Sequence, residues 1–340
     1  EIRSYDTVVD MEDAGPFAPA FTQAGFKIPG DRSFQDIYGK KDFDDTSFSF
    51  ITEFDLTDDI NIYGKFVQAY KSGGFNTRDP QRGSTGEPAG TPGRGDDTAE
   101  EAPDGNVYGF GFADGFDEEF VASVEFGIKS ELMDRRLRIN ANVFASKYTE
   151  MQLNFILAGT VADTKVTNAG EAQMQGFETD ITFMATEHLL LMLNYAYLDA
   201  EITKAEDEFG NDLSDSFVFY SAPKNSYTFA ADWTIADMDW GQLAVNLSYN
   251  FMDDRNGGSR AHNAKNTFIG SYSLLNGRIS LSQIPIGDKA DKGNLYIGLW
   301  GKNLADEEFE ITAIDNLPHS DRSVIWGDPR SFGVDVIYEY

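Results

Sequence analysis

Period-two alternation sustained over ten or more residues constrains this chain more than any other feature. Successive strand residues point to opposite faces, so an apolar row beside a polar row describes a sheet between two different solvents. Leu243, Val245, Leu247, Tyr249 and Phe251 alternate in this way with Gln242, Ala244, Asn246, Ser248 and Asn250. So do Leu137, Ile139, Ala141 and Val143 with Arg138, Asn140 and Asn142. The pattern recurs at 120–128, 177–183, 227–233, 48–54 and 332–340, with Ile51 and Ile337 as apolar exceptions.

Segment by segment, the alternation predicts about eleven strands: 46–56, 60–70, 119–132, 137–154, 165–183, 189–202, 225–234, 240–251, 267–281, 294–303 and 330–340. Many exceed the roughly five or six residues of a soluble strand, and ten or more suits a tilted strand crossing a bilayer. The connections sort by length. Short ones fall at 57–59, 133–136, 185–188 and 236–238, with a medium one at 283–292. Long ones alternate with them at 71–118, 155–164, 203–224, 252–266 and 304–329. Outer-membrane barrels have short periplasmic turns and long extracellular loops, whereas a soluble sandwich has no reason to sort its loops by parity. If Tyr340 ends in the periplasm, every short turn lies there and every long loop outside. Residue 46 then starts a strand outside, so another strand precedes it, and 1–10 is the candidate for its tail. Lipid tolerates no open sheet edge, so about twelve strands close alone or belong to a larger barrel.

No stretch reaches the roughly 18 uninterrupted apolar residues of a membrane helix; the best, 189–198, is broken by Asn194. A mean hydropathy of −0.39 is compatible with a barrel, because only every second strand residue meets lipid. Cysteine is absent, which removes disulfides and thiolate chemistry. The formal charge of −30 argues against a nucleic-acid partner, since phosphate binding needs clustered Lys and Arg. Glu1 opens no leader pattern, so a signal peptide has been removed or the numbering starts late.

Five segments carry a resemblance. Residues 66–76 read F-V-Q-A-Y-K-S-G-G-F-N, 125–137 read E-F-G-I-K-S-E-L-M-D-R-R-L, and 168–180 read N-A-G-E-A-Q-M-Q-G-F-E-T-D. Lys302, Asn303 and Leu304 are followed by Asp306, Glu307 and Glu308, and 327–340 read G-D-P-R-S-F-G-V-D-V-I-Y-E-Y. In order and spacing these resemble the C-terminal half of TonB-dependent outer-membrane receptors. Such barrels have 22 strands around a plugged lumen. The resemblance therefore implies an all-β fold: the C-terminal portion of a 22-stranded antiparallel transmembrane β-barrel, with strands and long extracellular loops over 46–340. Residues 1–45 would be an N-terminal segment with a strand end and an extracellular loop. Neither the plug domain nor the segment that engages TonB is read in this chain. The final strand, with Phe332, Tyr338 and a terminal Tyr340 where the family usually has Phe, implies recognition by the barrel assembly machinery.

Substrate recognition is expected in the loops, where binding residues concentrate on a rigid scaffold. His319, Arg322 and Trp326 offer an imidazole, a cation and an aromatic face, suited to an anionic chelate or a stacked sugar; packing within the loop is the plainer reading. Tyr70, Lys71 and Arg78 lie where the chain leaves the wall, placed for ligand or plug contact, while Gly73 and Gly74 serve backbone geometry there. Asp96, Asp97, Glu100, Glu101 and Asp104 supply oxygen ligands for calcium, but without a calcium-loop spacing a solvated acidic run is the plainer reading. His188, His262 and His319 have no second-ligand spacing for zinc. Glu178 and Asp180 share the polar parity and are expected to meet basic groups of the wall or plug.

The function expected is TonB-dependent uptake of an iron–siderophore, a cobalamin-like cofactor or an oligosaccharide across the outer membrane of a Gram-negative bacterium. Its partners would be outer-membrane lipid, the TonB complex and the imported ligand. A passive pore of about twelve strands and a soluble secreted all-β carbohydrate-binding protein are the alternatives. No nucleophile–base or metal constellation marks an enzyme.

Overall fold

The computed structural model describes residues 2–4, 37–39, 43–74, 80–82, 110–112, 116–156, 164–206, 211–258, 267–287, 293–315 and 322–340. Eleven strands form one antiparallel sheet in which each pairs with its neighbours in sequence. They are β1 (Phe48–Thr57), β2 (Ile60–Lys71), β3 (Glu119–Leu132), β4 (Leu137–Ile156), β5 (Thr164–Thr186) and β6 (Leu189–Ala205). Then follow β7 (Asn225–Met238), β8 (Gly241–Met252), β9 (Tyr272–Pro285), β10 (Asn294–Lys302) and β11 (Ser331–Glu339). All eleven expected strands are present.

Three differences from expectation stand out, the second being an extension of 137–154 and 165–183 by two and four residues. The expected strand 267–281 is divided: Phe268–Ile269 pairs with Arg255–Asn256 in a separate ladder, and β9 begins where Tyr272 pairs with Met252. Strands β4 and β5 reach 20 and 23 residues. At about 3.4 Å per residue the longer runs roughly 75 Å, far beyond a hydrocarbon layer of about 30 Å even when tilted. Its excess lies on the long-loop side, where Asn168, Glu171, Gln173 and Gln175 put polar groups on both parities and the alternation fades. Ile2–Ser4 is a short strand, but it pairs with Ile37–Gly39 in a ladder of its own.

The short turns are built from local chemistry. Thr57 Oγ1 accepts from the Asp59 amide at 3.2 Å and Thr186 Oγ1 from the His188 amide at 3.1 Å, the same hydroxyl-closed turn used twice. Between β3 and β4, Met133, Asp134 and Arg135 have φ of 55°, 54° and 64°. Arg136 fastens that turn to the next one by donating to Met184 O at 3.0 Å and Ala185 O at 2.7 Å.

The chain divides into two compact units, residues 1–47, 69–120 and 149–170 in one and 48–68, 121–148 and 171–340 in the other. Among the described residues the buried apolar side chains are Leu153, Ala172, Ala205, Phe217, Ile269 and Ala313, mostly near the long-loop ends. Large apolar residues lie instead on the surface of the sheet.

Candidate functional site

The second unit shows how the two faces differ. Leu189, Trp233, Val245, Ile279, Leu299 and Val334 stand opposite one another in an unbroken row across six strands. Trp233, Ile279, Leu299 and Val334 are 50–63% exposed. Each forfeits roughly 1–2 kcal/mol in water at that exposure, and so large an apolar patch requires an apolar partner. One residue along, the row reads Leu190, Asp232, Asn246, Arg278, Trp300 and Gly333. Here Asn246 Nδ2 donates to Asp232 at 2.6 Å, and Arg278 Nη1 donates to Asp335 at 2.6 Å and to Tyr296 OH at 2.8 Å. Trp300 Nε1 adds a bond to Asp335 at 3.3 Å.

A groove of about 590 Å³ runs over the polar face, lined by Tyr63, Lys129, Asn142, Glu178, Asn194 and Asn250 among others. Its charges are answered within the wall. Tyr63 OH donates to Glu125 at 2.5 Å and its ring lies 5.1 Å from Lys129 Nζ. Asn142 Nδ2 donates to Glu178 at 3.3 Å, and Arg138 lies 3.8 Å from Asp180. The groove is a hydrogen-bonding wall.

The quoted motifs acquire a packing reason on this face. Tyr63 covers Gly127, Phe144 covers Gly176 and Trp300 covers Gly333, each so closely that an added Cβ would overlap the ring. Thus the glycines of F-G-I-K, Q-G-F-E and F-G-V-D each make room for an aromatic from the neighbouring strand. Leu304 lies over Gly301 on the apolar face, where a Cβ would come within 2.6 Å of it.

Asn303, only 4% exposed, locks the exit from β10. It has φ of 49°, accepts from the Glu307 amide at 2.9 Å and donates to Glu307 O at 2.8 Å and Asp328 O at 3.2 Å. In the first unit Asn168 has the same task. Its Oδ1 accepts from the Asp117 amide at 2.5 Å, and its Nδ2 faces Asp117 O, Glu118 O and Glu150 O at 2.9–3.0 Å. Gln152 Nε2 donates to Ser72 O and Asp117 O, and Gly74 pairs with Phe116. A Cβ at Gly73 would overlap Phe116 O and the Phe43 ring.

Of the residues expected to meet ligand, Tyr70 is half-buried and Lys71 exposed at the end of β2, in the first unit. Arg322 and Trp326 bound the strand Arg322–Trp326, which pairs with Glu310–Asp315 in the second unit. Arg322 is engaged within the protein: Nη1 meets Glu310 Oε1 at 2.8 Å, Nη2 meets Glu310 Oε2, and Nη2 also donates to Phe268 O at 2.7 Å. Trp326 is 58% exposed. Phe332 and Tyr338 are exposed on the last strand and Tyr340 is exposed just beyond its end, with Tyr338 and Tyr340 stacked at 6.2 Å. Arg78, His319 and the acidic residues Asp96, Asp97, Glu100, Glu101 and Asp104 lie outside the described residues. Asn168 and Asn303 were inside the quoted motifs but not singled out; their signal is an amide at a strand end, where a side chain can replace backbone partners.

A long-stranded antiparallel meander with one exposed apolar face and one hydrogen-bonded polar face is the wall of a transmembrane β-barrel. The chain belongs to the TonB-dependent receptors: residues 21–304 match the family described as TonB dependent receptor-like, beta-barrel. Members of this family reside in the outer membrane of Gram-negative bacteria. Among curated proteins the chain is similar to the metal-pseudopaline receptor CntO of Pseudomonas aeruginosa, with 26% identity over 234 residues, 66% of this chain and 28% of that receptor. The chain thus spans less than a third of the length of that relative. Its fold is similar to that of the ferric yersiniabactin uptake receptor FyuA from Yersinia pestis, with a TM-score of 0.59, 18% identity, and 86% of this chain and 37% of that one covered. The siderophore receptor PiuA from Acinetobacter baumannii gives a TM-score of 0.57 at 19% identity, with 86% and 36% covered.

Proposed function

We propose that this chain forms part of the barrel wall of an energised importer whose cargo is a metal chelate. The observation that carries the reading is the 234-residue similarity to a receptor named for a metal chelate. It favours that cargo over the cobalamin-like and oligosaccharide ligands. In this reading the long-loop side faces outward, Tyr70, Lys71 and Trp326 contact the arriving ligand, and Phe332, Tyr338 and Tyr340 are read during assembly. The work of uptake comes from TonB acting on a plug within the complete receptor. The polar face, with its charges already paired, lets a hydrated ligand pass without trapping it.

The test is accumulation of labelled iron, zinc, nickel and cobalt, supplied as small-molecule chelates, in cells with and without the complete receptor. Uptake of at least one metal that requires both the receptor and TonB supports the reading. Accumulation unchanged by loss of the receptor for every metal, or uptake that persists without TonB, refutes it.

A further inference from the structure

Two arginines at the long-loop end of the second unit each keep one buried nitrogen without a hydrogen-bond partner, Nη1 of Arg255 and Nε of Arg322, but differ in their counterion. Arg322 is held by both oxygens of Glu310. Arg255, 7% exposed, has no carboxylate within ion-pair reach among the described residues. Its Nη2 donates to the neutral Ile311 carbonyl at 3.0 Å, its guanidinium lies 5.5 Å from the Tyr272 ring centroid, and its Nη1 is buried with no hydrogen-bond partner. Tyr272 in turn stacks on Phe309 at 4.5 Å, so the cation rests on a rigid aromatic platform. A buried charge without a counterion is costly, and a ligand that brings one recovers that energy on binding.

Arg255 lines a cavity of about 410 Å³, together with Phe217, Val218, Lys224, Asn256 and Phe268. Three carboxylates, Glu201, Asp215 and Asp254, line it as well. They repel a polyanion, so the complementary group is a single oxyanion on a ligand that is neutral or cationic elsewhere. This disfavours the clustered phosphates of an anionic lipid and fits a carboxylate borne by a small solute.

We infer that Arg255, with Lys224 as the second cation, is the oxyanion-recognition site of this cavity and takes a carboxylate of the imported ligand. The inference rests on the transport reading and deepens it by naming a chemical group of the cargo.

The test uses the complete receptor in detergent with β-alanine, a carboxylate carrying a separate ammonium, followed by ligand-observed NMR. Inorganic phosphate and lipopolysaccharide nanodiscs serve as competing sources of oxyanion. Binding of β-alanine to the unaltered receptor is expected, with affinity falling about tenfold or more in Arg255→Gln and less in Arg255→Lys, whose charge is retained. Lys224→Gln, which leaves the buried arginine in place, is expected to weaken binding severalfold; heat-modified mobility verifies that each variant is folded. Absence of β-alanine binding, equal binding by folded Arg255→Gln and Lys224→Gln, or Arg255-dependent binding of lipopolysaccharide alone overturns the inference. TonB-dependent metal uptake can survive any of these results, so the two readings fail separately.

Discussion

Replacing Asn303 by alanine removes three things at once from the exit of β10. It deletes the acceptor for the Glu307 amide and the donors to Glu307 O and Asp328 O. It also places an ordinary side chain at φ of 49°, where asparagine is tolerated better than alanine. Three hydrogen bonds at about 0.5–1.5 kcal/mol each, plus about 1 kcal/mol for the backbone, give a local loss of roughly 3–5 kcal/mol. Asn303→Gly loses the same bonds without the backbone penalty, so it should be milder by about 1 kcal/mol. Hydrogen exchange of the purified receptor reads this directly at the Glu307 amide, which donates to Asn303 at 2.9 Å. A loss of about 3 kcal/mol corresponds to exchange faster by about a hundredfold. The Ile297 amide, within β10, should be unaffected. Less than about a threefold change at Glu307 in the alanine variant would show that the side chain is not what closes this exit, given that 1.4 kcal/mol is about tenfold. Equal effects of alanine and glycine would remove the backbone component.

Val334→Lys puts a charge on the apolar row, at about 2–4 kcal/mol near the bilayer centre, whereas Ile337→Lys lies on the polar parity and should be accepted; the yield of heat-modifiable barrel separates the two, and equal yields would contradict the assignment of faces. Gly333→Val should drive Trp300 off its seat, seen as a change in tryptophan fluorescence; an unchanged spectrum in a folded barrel would refute that packing. Asn168→Ala should speed exchange of the Asp117 amide at least tenfold, because that amide donates to Asn168 at 2.5 Å. Arg136→Ala should loosen the turn at Met184 and Ala185, raising proteolysis there from the short-turn side; undiminished resistance would show the staple to be dispensable.

Much of the wall was legible because its causes are local. Side-chain parity within a strand is a property of neighbouring residues, and a strand between lipid and water must display it. The eleven strands and the sorting of short and long connections follow from that, whereas the hydroxyls of Thr57 and Thr186 that close two of the short turns were shown only by the structure. The expected strands 137–154 and 165–183 already covered most of β4 and β5, whose ends extend by two and four residues, whereas the ladder Arg255–Asn256 with Phe268–Ile269 was not anticipated, because two-residue strands are too short to display a period.

Side-chain partnership was decided only by the tertiary structure. Arg255 and Arg322 are both loop-end arginines amid acidic residues in the sequence. The hairpin register sets Arg322 opposite Asp315 and Glu310 opposite Trp326, yet the Arg322 side chain is held by Glu310, twelve residues away in sequence. Arg255 is set against the ring of Tyr272 and the carbonyl of Ile311, 17 and 56 residues on, with its Nη1 unanswered. Likewise the amide of Asn303 draws Glu307 and Asp328 together only after β10 and the last strand have paired. Alternation specifies which face a residue occupies, but a charge is answered by groups brought near through strand order and register, and those distances are not written in any short stretch of sequence.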